Sequence, residues 1–189
     1  MNLAVFASGN GSNFAAIAKA IKQKKIKVNK LILICDQPQA YVLKRAQKAN
    51  VKIILIRRED FVSKSDFEEA IRERLKAYKI NFIVLAGYMR ILSPSFVRAY
   101  RHRIINIHPS LLPDFKGAHA ISDAFKRKAE ITGVTVHFVD EQVDHGPVIL
   151  QHQVKIKNTD TLSSLESRIH RVEHKIYPEA INLWIKRKV

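Results

Sequence analysis

A series of short apolar runs, at residues 3–7, 31–35, 52–56 (apolar after Lys52) and 82–86, constrains this chain more than any other feature, because each is followed by a segment of helical periodicity. A strand with one wet face alternates apolar and polar residues, so a run without alternation belongs to a strand covered on both faces. The intervening segments carry Phe14, Ala15, Ile17, Ala18 and Ile21, then Val42, Leu43, Ala46 and Ala49, then Phe67, Ala70, Ile71 and Leu75. Each set falls on one side of a helix. Ser93-Pro94 supplies an N-cap with proline at the first helical position and opens a short helix towards Tyr100. Such alternation builds βαβ units and a parallel sheet.

The pattern changes after residue 100. Residues 103–107 read as a strand, 109–117 as an irregular loop and 120–128 as a helix. Strands at 134–139 and 148–154 flank the turn Asp144-His145-Gly146-Pro147, which suits antiparallel pairing. A last helix opens near Thr161 with Leu165, Ile169, Val172 and Ile176 on one face, and Pro178 is expected to kink or break it before residues 181–185. The fold class is therefore α/β: a Rossmann-like, mostly parallel sheet with helices on both faces and an antiparallel C-terminal portion. Residues 1–189 read as a single domain.

A chain of 189 residues buries roughly 70% of its unfolded surface, enough for a core without disulfides or metal. No apolar stretch approaches the ~20 residues of a membrane span, and the N-terminus lacks the basic region and cleavage site of a signal peptide. The single cysteine, Cys35, sits in an apolar run and has no internal partner, so a cytoplasmic setting is expected. Against 17 acidic residues stand 33 Lys and Arg, a formal net charge of +16 whose field any anion would feel. These residues are scattered in separate clusters: Lys22, Lys24, Lys25 and Lys27; Arg57 and Arg58; residues 126–128; residues 186–188. Solvated helix ends explain most of them. The single stripe that nucleic acid would require is missing, so neither nucleic acid nor a membrane is an expected partner.

Three places could carry chemistry. The first is the βα turn Gly9-Asn10-Gly11-Ser12-Asn13, where unpaired N–H groups and the positive end of a helix dipole suit an anion. A dinucleotide fingerprint would need a small residue where Phe14 stands, although Asp36 follows the second strand as a ribose-binding acid would. A P-loop would need Gly-Lys-Ser/Thr, which is absent. A phosphate monoester needs only the turn, and Ser12 and Asn13 add side-chain donors; this reading leads over a turn without ligand.

The second place is the strand end carrying Asn106 and His108, whose side chains share a face. An amide beside an imidazole can stabilise an oxyanion, with imidazolium doubling as general acid. The alternative is a histidine satisfied by a backbone carbonyl. Asp144 is similarly open, since Asp-x-Gly-Pro is turn chemistry in its own right. The third place, His170-Arg171-Val172-Glu173-His174, matches the H-x-x-E-H zinc pattern, but a third ligand is lacking apart from Glu179 and the adjoining apolar stripe explains the helix. No metal is expected. Motifs for a covalent nucleophile are absent as well.

Four segments occur in a telling order. They are Gly9-Asn10-Gly11-Ser12-Asn13, Ala86-Gly87-Tyr88-Met89-Arg90-Ile91-Leu92, Asn106-Ile107-His108-Pro109-Ser110-Leu111-Leu112-Pro113 and Asp144-His145-Gly146-Pro147-Val148-Ile149. With Val172-Glu173-His174-Lys175-Ile176-Tyr177-Pro178 they resemble the phosphoribosylglycinamide formyltransferase family of purine biosynthesis over nearly the whole chain. The resemblance implies the formyltransferase fold and transfer of a formyl group from 10-formyltetrahydrofolate, the cosubstrate, to the amine of 5-phosphoribosylglycinamide. It implies that Asn106 and protonated His108 stabilise the oxyanion and that Asp144 keeps His108 charged. Gly11, Ser12 and Asn13 would hold the substrate phosphate, and Glu173 its ribose. Met89, Arg90, Ile91 and Leu92 would line the folate pocket with Asn106. Asp140, Glu141 and Val143 would join them from the later loop, and Lys64 would lie near the folate tail. The implied partners are these small molecules, and a homodimer stays open. Asp36, Asp114 and His170 depart from the usual family residues.

Three alternatives come from this sequence. A methionyl-tRNA formyltransferase shares the catalytic core but appends a C-terminal tRNA domain, and this chain stops about where the catalytic domain is expected to end. Folate-hydrolysing relatives carry an added N-terminal domain, whereas the first strand here starts at Asn2. A basic nucleic-acid-binding module rests on the charge alone.

Overall fold

The computed structural model describes residues 1–186; Arg187 and Lys188 of the last basic cluster lie outside the described residues, as does Val189. Seven strands form one sheet in the order β3-β2-β1-β4-β5-β6-β7. β1 (Asn2–Phe6), β2 (Lys30–Cys35), β3 (Lys52–Leu55), β4 (Phe82–Leu85) and β5 (Ile104–His108) are parallel. β6 (Ile131–Phe138) and β7 (Val148–Lys155) complete the sheet antiparallel. The chain winds outward from β1 to β3, then returns to the other side of β1 as β4. That reversal opens a crevice beyond the carboxyl ends of β1 and β4, where open α/β sheets receive ligands.

Apolar residues divide between the two sheet faces by strand alternation. Leu3, Val5, Leu33, Val84, Ile105 and Val136 face one core, which α1 (Ser12–Lys22), α2 (Tyr41–Lys48) and α6 (Leu162–Lys186) cover. Ala4, Phe6, Ile32, Ile83, Leu85 and Ile104 face the other, under α3 (Lys64–Ala77) and α4 (Pro94–Ala99). Ser93 caps α4 as its sequence suggests, its Oγ accepting the Phe96 N–H. The short helix α5 (Ala120–Lys126) follows the loop after β5 and ends two residues earlier than expected, with Lys128 at positive φ.

Pro178 does not break the last helix. α6 runs unbroken through it to Lys186. The proline removes one backbone donor, but Tyr177, Ala180, Ile181 and Trp184 around it are all buried, and Trp184 packs edge-on against Phe82. Burying such side chains is worth ~1.5–3 kcal/mol each, which offsets the ~3 kcal/mol cost of an interior proline. The Tyr177 hydroxyl also donates to Leu85 O at 2.6 Å and lies 3.3 Å from Ile105 O, which ties α6 to β4 and β5.

Candidate active site

On β5, Ile105 and Ile107 point into the α6 core, so strand alternation turns Asn106 and His108 to the opposite face. β6 pairs antiparallel with this strand and sets His137 opposite Asn106 and Thr135 opposite His108. The β6–β7 connection folds back tightly over these residues. A side chain at Gly146 would meet Phe138 O at 1.9 Å, so only glycine permits that approach. Asp144 adopts positive φ in this loop, as its turn chemistry suggests, and is carried onto the same face.

The result is a buried polar cluster. His108 Nδ1 lies 3.3 Å from Asp144 Oδ2, which also accepts the Gly117 N–H at 3.0 Å. Asn106 Nδ2 is 3.5 Å from Asp144 Oδ1 and 3.3 Å from His137 Nε2. His137 Nδ1 faces Phe138 O at 2.8 Å, and its Nε2, beside the Asn106 amide, also lies 3.6 Å from Asp144 Oδ1. His108 Nε2 donates to Phe115 O at 2.8 Å. His108 thus has a backbone carbonyl at Nε2 and the Asp144 carboxylate beside Nδ1. Burial pushes the Asp144 carboxyl up, but the His137 ring, the Gly117 N–H and His108 outweigh it and hold it below the ordinary carboxylate value. Asp144 is therefore an anion at neutral pH.

The sequence brought out Asn106, His108 and Asp144 but missed His137. A histidine inside an otherwise apolar β-branched run is its only local mark. Thr135 was missed too: its Oγ1 donates to Ser110 O at 2.7 Å and accepts from Leu112 N and Gln151 Nε2, which pins the loop after β5.

At the β1 turn, Gly11 takes φ 74° and no side chain caps α1, so the first-turn N–H groups face outward at the crevice. Asn13 Nδ2 donates to Glu173 Oε2 at 3.0 Å across 160 residues of sequence, which joins two of the expected substrate-binding residues. Arg45, unmarked in the sequence reading, donates from Nε to Asn10 O at 2.8 Å and brings a guanidinium to the turn. The H-x-x-E-H segment resolves differently from a zinc site: Glu173 accepts from both Asn13 and His170 Nδ1, the latter at 2.9 Å. That bond from Glu173 raises the His170 pKa, whereas burial lowers that of His174. No group of three or more His, Cys, Asp or Glu is placed to hold a metal among the described residues.

The 86–93 loop stands beside the same crevice. Met89 and Ile91 are 77% and 69% exposed, apolar groups held out towards solvent. Leu92 is buried in the α3–α4 core instead, and the Arg90 Nε donates to Asp36 Oδ2 at 2.5 Å. Asp36 is thus buried in an ion pair and is not free to meet a ribose. Lys64 Nζ lies 4.0 Å from Glu68 Oε1, which accepts Ser93 N at 2.8 Å, so the start of α3 borders this loop. Across from it, Val143 is exposed, Asp140 accepts from His145 Nδ1 at 2.8 Å, and Glu141 is engaged by Arg98 at 2.8 Å.

Known proteins share this fold. The formyl transferase family model matches residues 1–181. A phosphoribosylglycinamide formyltransferase of Bacillus subtilis (strain 168) is 45% identical over 178 residues, 94% of this chain and 91% of that protein. The crystal structure of phosphoribosylglycinamide formyltransferase from Bacillus halodurans superposes with a TM-score of 0.95 at 40% identity, covering 100% of this chain and 97% of the other. That of glycinamide ribonucleotide transformylase 1 from Geobacillus kaustophilus gives 0.93 at 46% identity, covering 96% and 97%. With its sheet order, its β5 polar cluster and these matches along nearly its full length, the chain belongs to the formyl transferase family, among the phosphoribosylglycinamide formyltransferases.

Proposed function

We propose that this protein transfers the formyl group of 10-formyltetrahydrofolate to the amine of 5-phosphoribosylglycinamide, releasing tetrahydrofolate and formylglycinamide ribonucleotide. The observation that carries the reading is the buried Asn106–His108–Asp144 cluster standing at the same sheet edge as the uncapped turn of α1. The named relatives favour this acceptor over the tRNA and nucleic-acid alternatives.

The amine lone pair adds to the formyl carbon, the carbonyl π pair moves to oxygen, and the ammonium proton must leave. Asn106 Nδ2 can meet that oxyanion, since its contact to Asp144 is at the limit of a hydrogen bond and one hydrogen is easily redirected. His108 can supply a second donor by exchanging Phe115 O for the oxyanion at Nε2. Collapse of the adduct restores the carbonyl, breaks the bond to the folate nitrogen and places a proton there; His108, kept charged by Asp144, is the available acid, and the proton shed by the ammonium returns through water to restore it. His137 orients the Asn106 amide. The turn at Gly11, Ser12 and Asn13 would hold the substrate phosphate, and Glu173, preset by Asn13 and His170, would accept from ribose hydroxyls. Met89, Ile91 and Val143 supply apolar surface for the pterin. The same reading places the reaction in the cytoplasm, with small molecules as partners.

Formyl transfer by purified protein, with glycinamide ribonucleotide and charged initiator tRNA compared as acceptors, tests this directly. Turnover with the ribonucleotide alone is expected. Transfer only to the tRNA would replace the reading.

A further inference from the structure

The 86–93 loop presents an unusual problem: Met89 and Ile91 lie mostly in solvent although an apolar core begins at the next residue, Leu92. Two apolar side chains on a free loop would turn inward. What prevents this is a set of bonds converging on Asp36, an acid whose side chain is 2% exposed at the end of β2. Its Oδ1 accepts the Ser8 hydroxyl at 2.6 Å, and Ser8 Oγ in turn accepts the Met89 N–H at 3.0 Å. Its Oδ2 accepts Arg90 Nε at 2.5 Å, while the Arg90 guanidinium rests over the Phe67 ring at 5.7 Å. Ser8 N also donates to Gly87 O at 3.0 Å. At the far end, buried Glu68 accepts Ser93 N. The backbone is thus held at Gly87, Met89 and Ser93, and Arg90, between the two exposed residues, is held through its side chain.

We propose that Asp36 is a positioning residue for the folate loop: through Ser8 and Arg90 it fixes the 87–90 backbone so that Met89 and Ile91 form a preset apolar wall for the pterin. This rests on the formyl-folate reading above. Because Asp36 touches neither Asn106, His108 nor Asp144, its loss acts on cosubstrate binding and not on the chemical step. Asparagine at this position keeps one oxygen for Ser8 but presents an NH2 group to Arg90, so one arm of the clamp opens.

The test compares wild type, Asp36→Asn and Ser8→Ala in the full chain, by steady-state kinetics with both substrates and by calorimetric binding of 10-formyltetrahydrofolate alone. Asp36→Asn should raise the KM and Kd for the folate about tenfold, the scale of one charge-assisted hydrogen bond, with kcat within about threefold of wild type. The KM for glycinamide ribonucleotide should move by less than about threefold, a split that general destabilisation would not produce. Ser8→Ala, which removes only the Met89 arm, should shift the folate constants in the same direction and serves if Asp36→Asn does not fold. Unchanged folate affinity in a folded variant, or equal loss for both substrates, overturns the proposal. Absence of transfer by the wild type would instead overturn the reading of function, and the binding measurement would still decide the role of Asp36.

Discussion

Replacing Asp144 by asparagine isolates the charge at the centre of the site. Asparagine tolerates the positive φ of this position, so the loop should keep its course. One oxygen remains to accept the Gly117 N–H, and the shape is preserved. What disappears is the attraction between carboxylate and imidazolium across 3.3 Å, about 5 kcal/mol at an effective dielectric of 20. Both side chains are buried, and the cost of removing them from water offsets part of this, leaving a net of about 3 kcal/mol. Without the anion the doubly protonated ring of His108 loses its support, and the oxyanion loses a charged donor. A fall in kcat of roughly 100-fold follows, the scale of deleting one such donor, with both KM values within about threefold. The carboxyl is held below its ordinary value in the fold, so its contribution to stability is present at neutral pH and is lost as pH falls below about 4. Asp144→Asn should therefore lose less Tm than wild type between pH 6 and about pH 3.5. Stopped-flow or spectrophotometric formyl transfer, with thermal melts alongside, measures both. A folded Asp144→Asn protein with kcat within tenfold of wild type would refute the role given to this charge.

Other outcomes are accessible with simple variants. Gly11→Ala should lower Tm and weaken glycinamide ribonucleotide binding together, because the new Cβ would stand 2.4 Å from Val42 Cγ2 and the residue sits at φ 74°; an unchanged Tm would show that α2 yields more readily than its packing suggests. Tyr177→Phe should cost about 1–2 kcal/mol in denaturant melts, since Leu85 O loses its buried partner, while kcat stays near wild type. Exhaustive chelation should leave formyl transfer unchanged; activity that disappears with chelator and returns with zinc would revive the H-x-x-E-H pattern.

β1, β2 and β4 were legible because burial on both faces leaves no alternation, and local sequence suffices to show it; β3, at the sheet edge, shares the apolar run while part of it stays exposed. Asn106 and His108 were legible as a pair for a similar reason, two positions apart on one strand. Asp144 could be named only through a motif, since the backfolded loop that delivers it depends on Gly146 lying against Phe138. His137 carried no such motif, and its role arises from register with Asn106, a property of pairing and not of sequence spacing. Arg90 and Leu92, expected at the folate pocket with their neighbours, turn their side chains to Asp36 and to the core, which leaves their backbone to face the loop's crevice side. That α6 continues through Pro178 without a break has a plain cause: propensity is local, while the burial that carries α6 through the proline is contributed by β4 and β6.

The bond between Asn13 and Glu173 has a bearing on how the protein is made. It joins the turn behind the first strand to the last helix, so the pocket it borders does not exist until α6 has docked on α1. Under the proposed function, a chain emerging from the ribosome can assemble β1 to β4 with the α1 turn for the phosphate but without Glu173, which would take the ribose. Full affinity for that ligand would then arrive with the final helix, and a bound ligand would withdraw mainly finished molecules from the pool that can still unravel. Supply of substrate would thus lengthen the lifetime of the enzyme that consumes it, most visibly as slower amide exchange at the α6 end of the sheet.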